Sequence, residues 1–133
     1  MEENQKASGA FQDILALMGN AYRQASDLRD GLNRGAGARE LSLCVTEIDR
    51  ARHWVTDTQI MTEPPRFLQK VAVPVEATPW LQLSALLMQA HGQARDIHRA
   101  LAGGVGAREM LKCLDALDEA RHWANDALEE SEK

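Results

Sequence analysis

Two arginines and two tryptophans are the residues best placed to hold a ligand. Arg39 and Arg108 each follow a glycine-bearing turn and open a helical stretch. Exposed amide donors at a helix start, together with a guanidinium, can hold a phosphate or ribose-phosphate. The plainer reading of the same pair is an exposed arginine at a helix end, paired with a nearby acid. Trp54 and Trp123 stand at the edges of apolar stripes. There an indole anchors its helix against a partner helix or another subunit, or offers a face on which a nucleobase stacks. Thr46 adds a hydroxyl where the second unit has Asp115, so an anion site is expected to differ between the two units.

Other reactive side chains carry weaker signals. His53 and His122 follow Asp49 and Asp118 by four residues, a spacing that puts imidazole and carboxylate on one helical face. Glu119 precedes His122 by three, the spacing of a Glu-x-x-His metal element. The first unit has Arg50 in that place, so a symmetric two-metal centre is not expected and the pairs read as solvated surface contacts. Cys44 and Cys113 fall on apolar stripes and read as small buried hydrophobes. No nucleophile stands beside a base. There is no P-loop, no dinucleotide fingerprint, and no paired carboxylate set of the all-helical nucleotide pyrophosphatases. The expectation is a protein that is not an enzyme, with no cofactor and no metal.

Composition narrows the partners. The 133 residues carry a net charge of −5, with 44% hydrophobic and 26% charged residues, an ordinary globular balance. An acidic chain is a poor partner for duplex nucleic acid. Fifteen basic side chains still leave room for a local pocket for a small phosphorylated ligand. No apolar run approaches the ~20 residues of a membrane span. The polar start MEENQKASGA shows no secretory leader, and two cysteines make no disulfide scaffold. These features point to the cytoplasm.

The elements that position these residues come from a duplication. Shifted by 69 positions, residues 20–57 lie over 89–126 without a gap, and nearly half the pairs are identical. Gly35 pairs with Gly104, Gly37–Glu40 with Gly106–Glu109, Cys44 with Cys113, and Ala51–Trp54 with Ala120–Trp123. Helical periodicity alone would not align glycines, a cysteine and a tryptophan, so one supersecondary unit has been repeated. Each unit reads as a helical hairpin, with apolar residues at spacings of three and four. In the first unit these are Phe11, Ile14, Leu17, Met18, Ala21, Ala25, Leu28 and Leu32, then Leu41, Cys44, Val45, Ile48, Ala51, Val55 and Thr58. The second has Trp80, Leu83, Leu86, Leu87, Ala90, Ala94, Ile97 and Leu101, then Met110, Cys113, Leu114, Leu117, Ala120, Ala124 and Leu128. A left-handed glycine in the Asn33–Gly37 segment is expected to end the first helix. All four prolines, Pro64, Pro65, Pro74 and Pro79, lie between the units. The expected organisation is therefore a first hairpin at 10–61, a proline-containing linker at 62–79 with a short strand-like contact at Val71–Val73, and a second hairpin at 80–130. The fold class is all-α, a four-helix arrangement of two tandem hairpins.

The return helices carry a family resemblance. Gly37 to Trp54 reads GARELSLCVTEIDRARHW, and Leu117 to Asn125 reads LDEARHWAN. Together they follow a recurring phage pattern: Arg-Glu, Ser-Leu-Ala-Leu-Thr, Leu-Glu-Glu-Ala and a closing Trp-Ala-Asn. This resembles the small helical-hairpin domain of phage anti-CBASS and anti-Thoeris sponge proteins. The resemblance implies non-catalytic sequestration of a cyclic oligonucleotide or cyclic ADP-ribose-type immune signal. It further implies a homo-oligomer with pockets between protomers. The residues it carries over as ligand-binding are Arg39, Ser42, Thr46 and Trp54 in the first unit and Arg108, Trp123 and Asn125 in the second. Because the first unit is locally less acidic, Arg39 is expected to matter more than Arg108. The alternative is a helical interaction or assembly protein of a phage with no small-molecule ligand; a metal-dependent helical-bundle hydrolase is a third reading.

Overall fold

Proline and turn chemistry set the helix boundaries. A computed structural model describes residues 2–61 and 78–132. It contains four helices, α1 (Glu2–Leu32), α2 (Ala38–Met61), α3 (Pro79–Leu101) and α4 (Ala107–Glu132). Helix α3 starts sharply: Pro79 occupies the first turn, and the Thr78 side chain accepts a hydrogen bond from the Leu81 amide at 3.3 Å. Its counterpart α1 has no proline to stop it and starts at Glu2, further upstream than the expected residue 10. The linker expectation, including Val71–Val73, lies outside the described residues except for Thr78 and Pro79.

The two hairpin turns match bond for bond at the repeat offset. Asn33 N donates to Asp30 O at 3.1 Å and Gly35 N to Leu32 O at 2.8 Å, as Ala102 N does to Arg99 O and Gly104 N to Leu101 O at the same distances. The residues that leave the helix with positive φ are Asn33 (48°) and Ala102 (50°), not glycines as expected. The glycines serve two other needs. A Cβ on Gly35 would sit 2.9 Å from the Leu32 carbonyl oxygen, and Gly37 has φ +94° where the chain enters α2. Glu40 and Glu109 fall in the first turns of α2 and α4, where the helix dipole favours a carboxylate.

The helices pack in the cyclic order α1–α2–α4–α3, and α2 and α4 share the most extensive interface. Two contacts fix their register. Gly37 abuts the Ala127 carbonyl, at 2.6 Å from the position a Cβ would take, and Lys112 covers Trp54. The start of α2 therefore meets the end of α4, and the return helices run antiparallel. Each hairpin is also antiparallel, so neighbours alternate in direction around the bundle, while α2 and α3 run the same way. Helix α2 thus ends, and α3 begins, at opposite ends of the bundle.

The core is apolar and built from both units. It contains Phe11, Ile14 and Met18 of α1, Leu41 and Ile48 of α2, Leu83, Leu87 and Ile97 of α3, and Met110 and Leu117 of α4, all fully buried. All seven positions expected for α2 are buried. In α4, Leu114 and Leu128 are only half-buried, while Ala107, Ala116 and Ala127 are buried. Small side chains allow the close approach of α2 and α4 and push the larger leucines to the flank. Helix α3 buries Gln89 and Gln93, polar residues that an apolar period passes over.

Candidate functional site

The expected ligand-binding residues do not converge within one unit. Arg39 and Trp54 lie toward opposite ends of α2, about 22 Å apart along its axis at 1.5 Å per residue. The antiparallel register instead combines the units. It sets Arg39 level with Asn125 and within a turn of Trp123, and Arg108 within a turn of Trp54. At each end of the α2/α4 pair an arginine of one unit thus stands, along the axis, within a turn of a tryptophan of the other, and these two pseudo-equivalent sets are the candidate half-sites.

Arg39, Ser42, Thr46, Arg108 and Asn125 are exposed. Neither arginine forms an ion pair among the described residues, which leaves both guanidiniums with donors for an anion. The Thr46 hydroxyl donates to the Ser42 carbonyl at 3.0 Å, so its proton is used within the helix and its oxygen remains an acceptor. Trp54 and Trp123 are half-buried and packed against the core. His53 meets the Trp54 ring edge-on at 5.3 Å, and His122 meets Trp123 at 5.1 Å.

The half-sites differ in charge. Lys112 Nζ lies 4.4 Å from the Trp54 ring centroid, and the corresponding residue in the first unit is Leu43. Arg50 is bonded to both Glu47 carboxylate oxygens, at 3.1 and 2.9 Å, where the second unit has Glu119 and Ala116. The end that carries Arg108 therefore also carries Lys112, while each arginine has one aspartate near its level, Asp126 for Arg39 and Asp57 for Arg108.

The histidine pairs depart from expectation. His53 contacts Asp57 at 3.3 Å and His122 contacts Asp126 at 3.3 Å, each one turn forward rather than back. The carboxylates behind them are drawn to arginines, Asp49 to Arg52 and Asp118 to Arg121, both at 3.7 Å. Among the described residues no three His, Cys, Asp or Glu side chains come together as a metal set. Cys44 and Cys113 are free and buried, and desolvation pushes both thiols up to about 12; Glu47 adds to the shift at Cys44.

Two adjoining open grooves run along α1 and α2, away from these half-sites. One, of about 550 Å³, is lined by Gly19, Asn20, Tyr22, Arg23, Ser26 and Arg52, with Ala16 beside them. The other, of about 490 Å³, shares Arg52 and adds Leu15, Asp49, His53 and Thr56. Tyr22, Arg23 and Arg52 are the residues that sequence reasoning missed. The available signal was the break in repeat identity at Tyr22 and Arg23, which align with His91 and Gly92.

Compared with protein-family models, with curated proteins and with solved structures, the chain gives no match.

Proposed function

We propose that the chain is a non-catalytic binding protein that sequesters a cyclic nucleotide signal, of the cyclic oligonucleotide or cyclic ADP-ribose type, and so blocks a bacterial anti-phage response. The observation that carries this reading is the antiparallel α2/α4 pairing, which gives each unpaired arginine a tryptophan from the opposite unit. Arginine donors suit phosphate oxygens, and a half-exposed indole suits a base. Two such half-sites about a pseudo-two-fold axis suit a ligand that itself repeats a nucleotide. Its residues are Arg39, Ser42, Thr46, Trp54, Arg108, Trp123 and Asn125. The test is isothermal titration with a panel of cyclic di- and trinucleotides and cyclic ADP-ribose isomers, followed by denaturation. Saturable binding with release of intact ligand is the expected result. Release of a converted product, or no heat with any member, overturns it.

A second reading, an assembly protein without a ligand, is favoured by one feature. Leu81 and Met88 lie two turns apart on α3 and are 63% and 57% exposed. Solvent-facing apolar side chains so spaced form a stripe that a second copy can cover. Light scattering on wild type and on Leu81→Glu/Met88→Glu tests it: dissociation of an oligomer in the variant supports assembly through α3, and a wild-type monomer at all concentrations rejects it.

A further inference from the structure

We infer that the α1/α2 groove of the first unit is a second anion site, one that takes the phosphate of a small phosphorylated molecule. This does not rest on the α2/α4 reading, because it uses other residues on another face. Two guanidiniums meet in the groove, Arg23 from α1 and Arg52 from α2. Arg52 is held in place: its guanidinium carbon stands 5.5 Å from the Tyr22 ring centroid, and it contacts Asp49 at 3.7 Å. One such carboxylate contact leaves most of its five donors for a ligand. Arg23 is exposed and has no ion-pair partner among the described residues. Asn20 and Ser26 add an amide and a hydroxyl, while Gly19 leaves open space where a Cβ would find nothing within 4 Å. The volume falls in the range of small-molecule sites. On a chain of net charge −5, two guanidiniums facing one carboxylate form a local positive spot.

The second unit acts as an internal comparison, because its equivalent surface is rearranged. Gly92 stands in place of Arg23, His91 in place of Tyr22 and Arg95 in place of Ser26. His91 contacts Asp118 at 3.2 Å, so that carboxylate is shared between His91 and Arg121. Gln89, which replaces the exposed Asn20, is buried. The guanidinium at the Arg23 position is lost, the arginine that matches Arg52 shares Asp118 with a histidine, and the added Arg95 stands three residues further along α3. The repeat has therefore been preserved in its core and turns while only the first copy sets an arginine beside the Tyr22 and Arg52 pair.

Amide-resolved NMR titration of the full chain with inorganic pyrophosphate tests the assignment. The signals of Gly19, Tyr22, Arg23 and Arg52 are expected to shift and saturate, and those of His91, Gly92 and Arg121 to stay in place. Arg23→Gln keeps the helix-forming tendency and removes one charge. It is expected to weaken the interaction about tenfold, the effect of one lost charge-assisted contact. Arg39→Ala/Arg108→Ala is expected to leave it unchanged. Equal shifts in both units, shifts confined to the α2 and α4 starts, or no saturable shift overturn the groove. The second of these outcomes leaves the α2/α4 half-sites standing.

Discussion

The ammonium of Lys112 lies over the indole of Trp54, 4.4 Å from the ring centroid, and joins the two repeats at one end of the α2/α4 interface. The pseudo-equivalent residue to Lys112 is Leu43, so the cation–π contact exists in one direction only. Such a contact contributes about 0.5–2 kcal/mol, depending on exposure. Lys112→Ala is expected to lower stability by about 1 kcal/mol in urea denaturation and to change the Trp54 emission. Lys112→Leu, which copies the other repeat, is expected to recover part of that loss through packing. Equal stability of Lys112→Ala and wild type would show the contact to be energetically empty.

Gly37, at the entry to α2, lies hard against α4. Its φ is +94°, and a Cβ would sit 2.6 Å from the Ala127 carbonyl oxygen, a backbone atom that can yield only if α4 moves. Gly37→Ala is expected to cost about 2–4 kcal/mol, combining left-handed strain with the clash. Gly31→Ala is the contrast, since a Cβ there meets nothing within 4 Å inside α1. It is expected to stabilise by up to about 1 kcal/mol. Thermal denaturation of the two variants checks both signs.

Ala102 carries a conformation that suits it poorly. It ends α3 with φ 50°, where the first repeat has Asn33 at 48°. Left-handed backbone costs an ordinary L-residue roughly 1–2 kcal/mol and asparagine less. Ala102→Asn is therefore expected to raise stability by about 0.5–1 kcal/mol. Ala102 is exposed, so no core contact obscures the comparison. An unchanged or lower midpoint would count against the strain argument.

The buried cysteines give the protein an alkaline weakness. Both thiols are raised from 9.0 to about 12 by burial, so the folded state keeps protons that the unfolded chain releases. Their contribution to stability is complete below the unfolded value near 9. It is lost progressively as pH rises toward 12, at about 1.4 kcal/mol per thiol per pH unit. Stability is expected to fall by about 2–3 kcal/mol between pH 9 and pH 10 in wild type beyond the fall in Cys44→Ala/Cys113→Ala. Equal slopes would mean that the thiols titrate alike in both states.

Much of the fold was legible because the duplication carries more information than a single helix period. Gly37 and Gly106, or Cys44 and Cys113, align only if the same turn and the same packing are used twice. The candidate site was less legible, because sequence order hides register. Arg39 and Trp54 fall in one repeat's expected ligand set, yet they stand about 22 Å apart along α2, and the antiparallel pairing of α2 with α4 brings each to the level of the other repeat's residues. The direction of the histidine pairs was hidden for a similar reason. Asp49 and Asp57 flank His53 at the same spacing, and Arg52 decides between them by taking Asp49. Gln93 entered the core without an apolar signature, since burial depends on what covers a position as well as on its type.

That mixing of repeats reverses the ranking of the two arginines. Judged by neighbours in sequence, Arg39 sits in the less acidic unit. Judged by register, both arginines have an aspartate near their level, Asp126 for Arg39 and Asp57 for Arg108, and Arg108 alone shares its end with a lysine, Lys112. The extra cation makes the second end the more attractive to a phosphate. If the α2/α4 pair binds a cyclic nucleotide, Arg108→Ala should weaken it by about one to two decades, the equivalent of roughly 1.5–3 kcal/mol for a charge-assisted contact. Arg39→Ala should weaken it less. Lys112→Ala should follow Arg108→Ala in direction, and Trp54→Ala should remove stacking worth roughly 1–3 kcal/mol. Isothermal titration of the four variants decides the order, with circular dichroism to confirm that helicity is unchanged. A larger loss from Arg39→Ala than from Arg108→Ala would show that the ligand reads each repeat separately and does not bridge them.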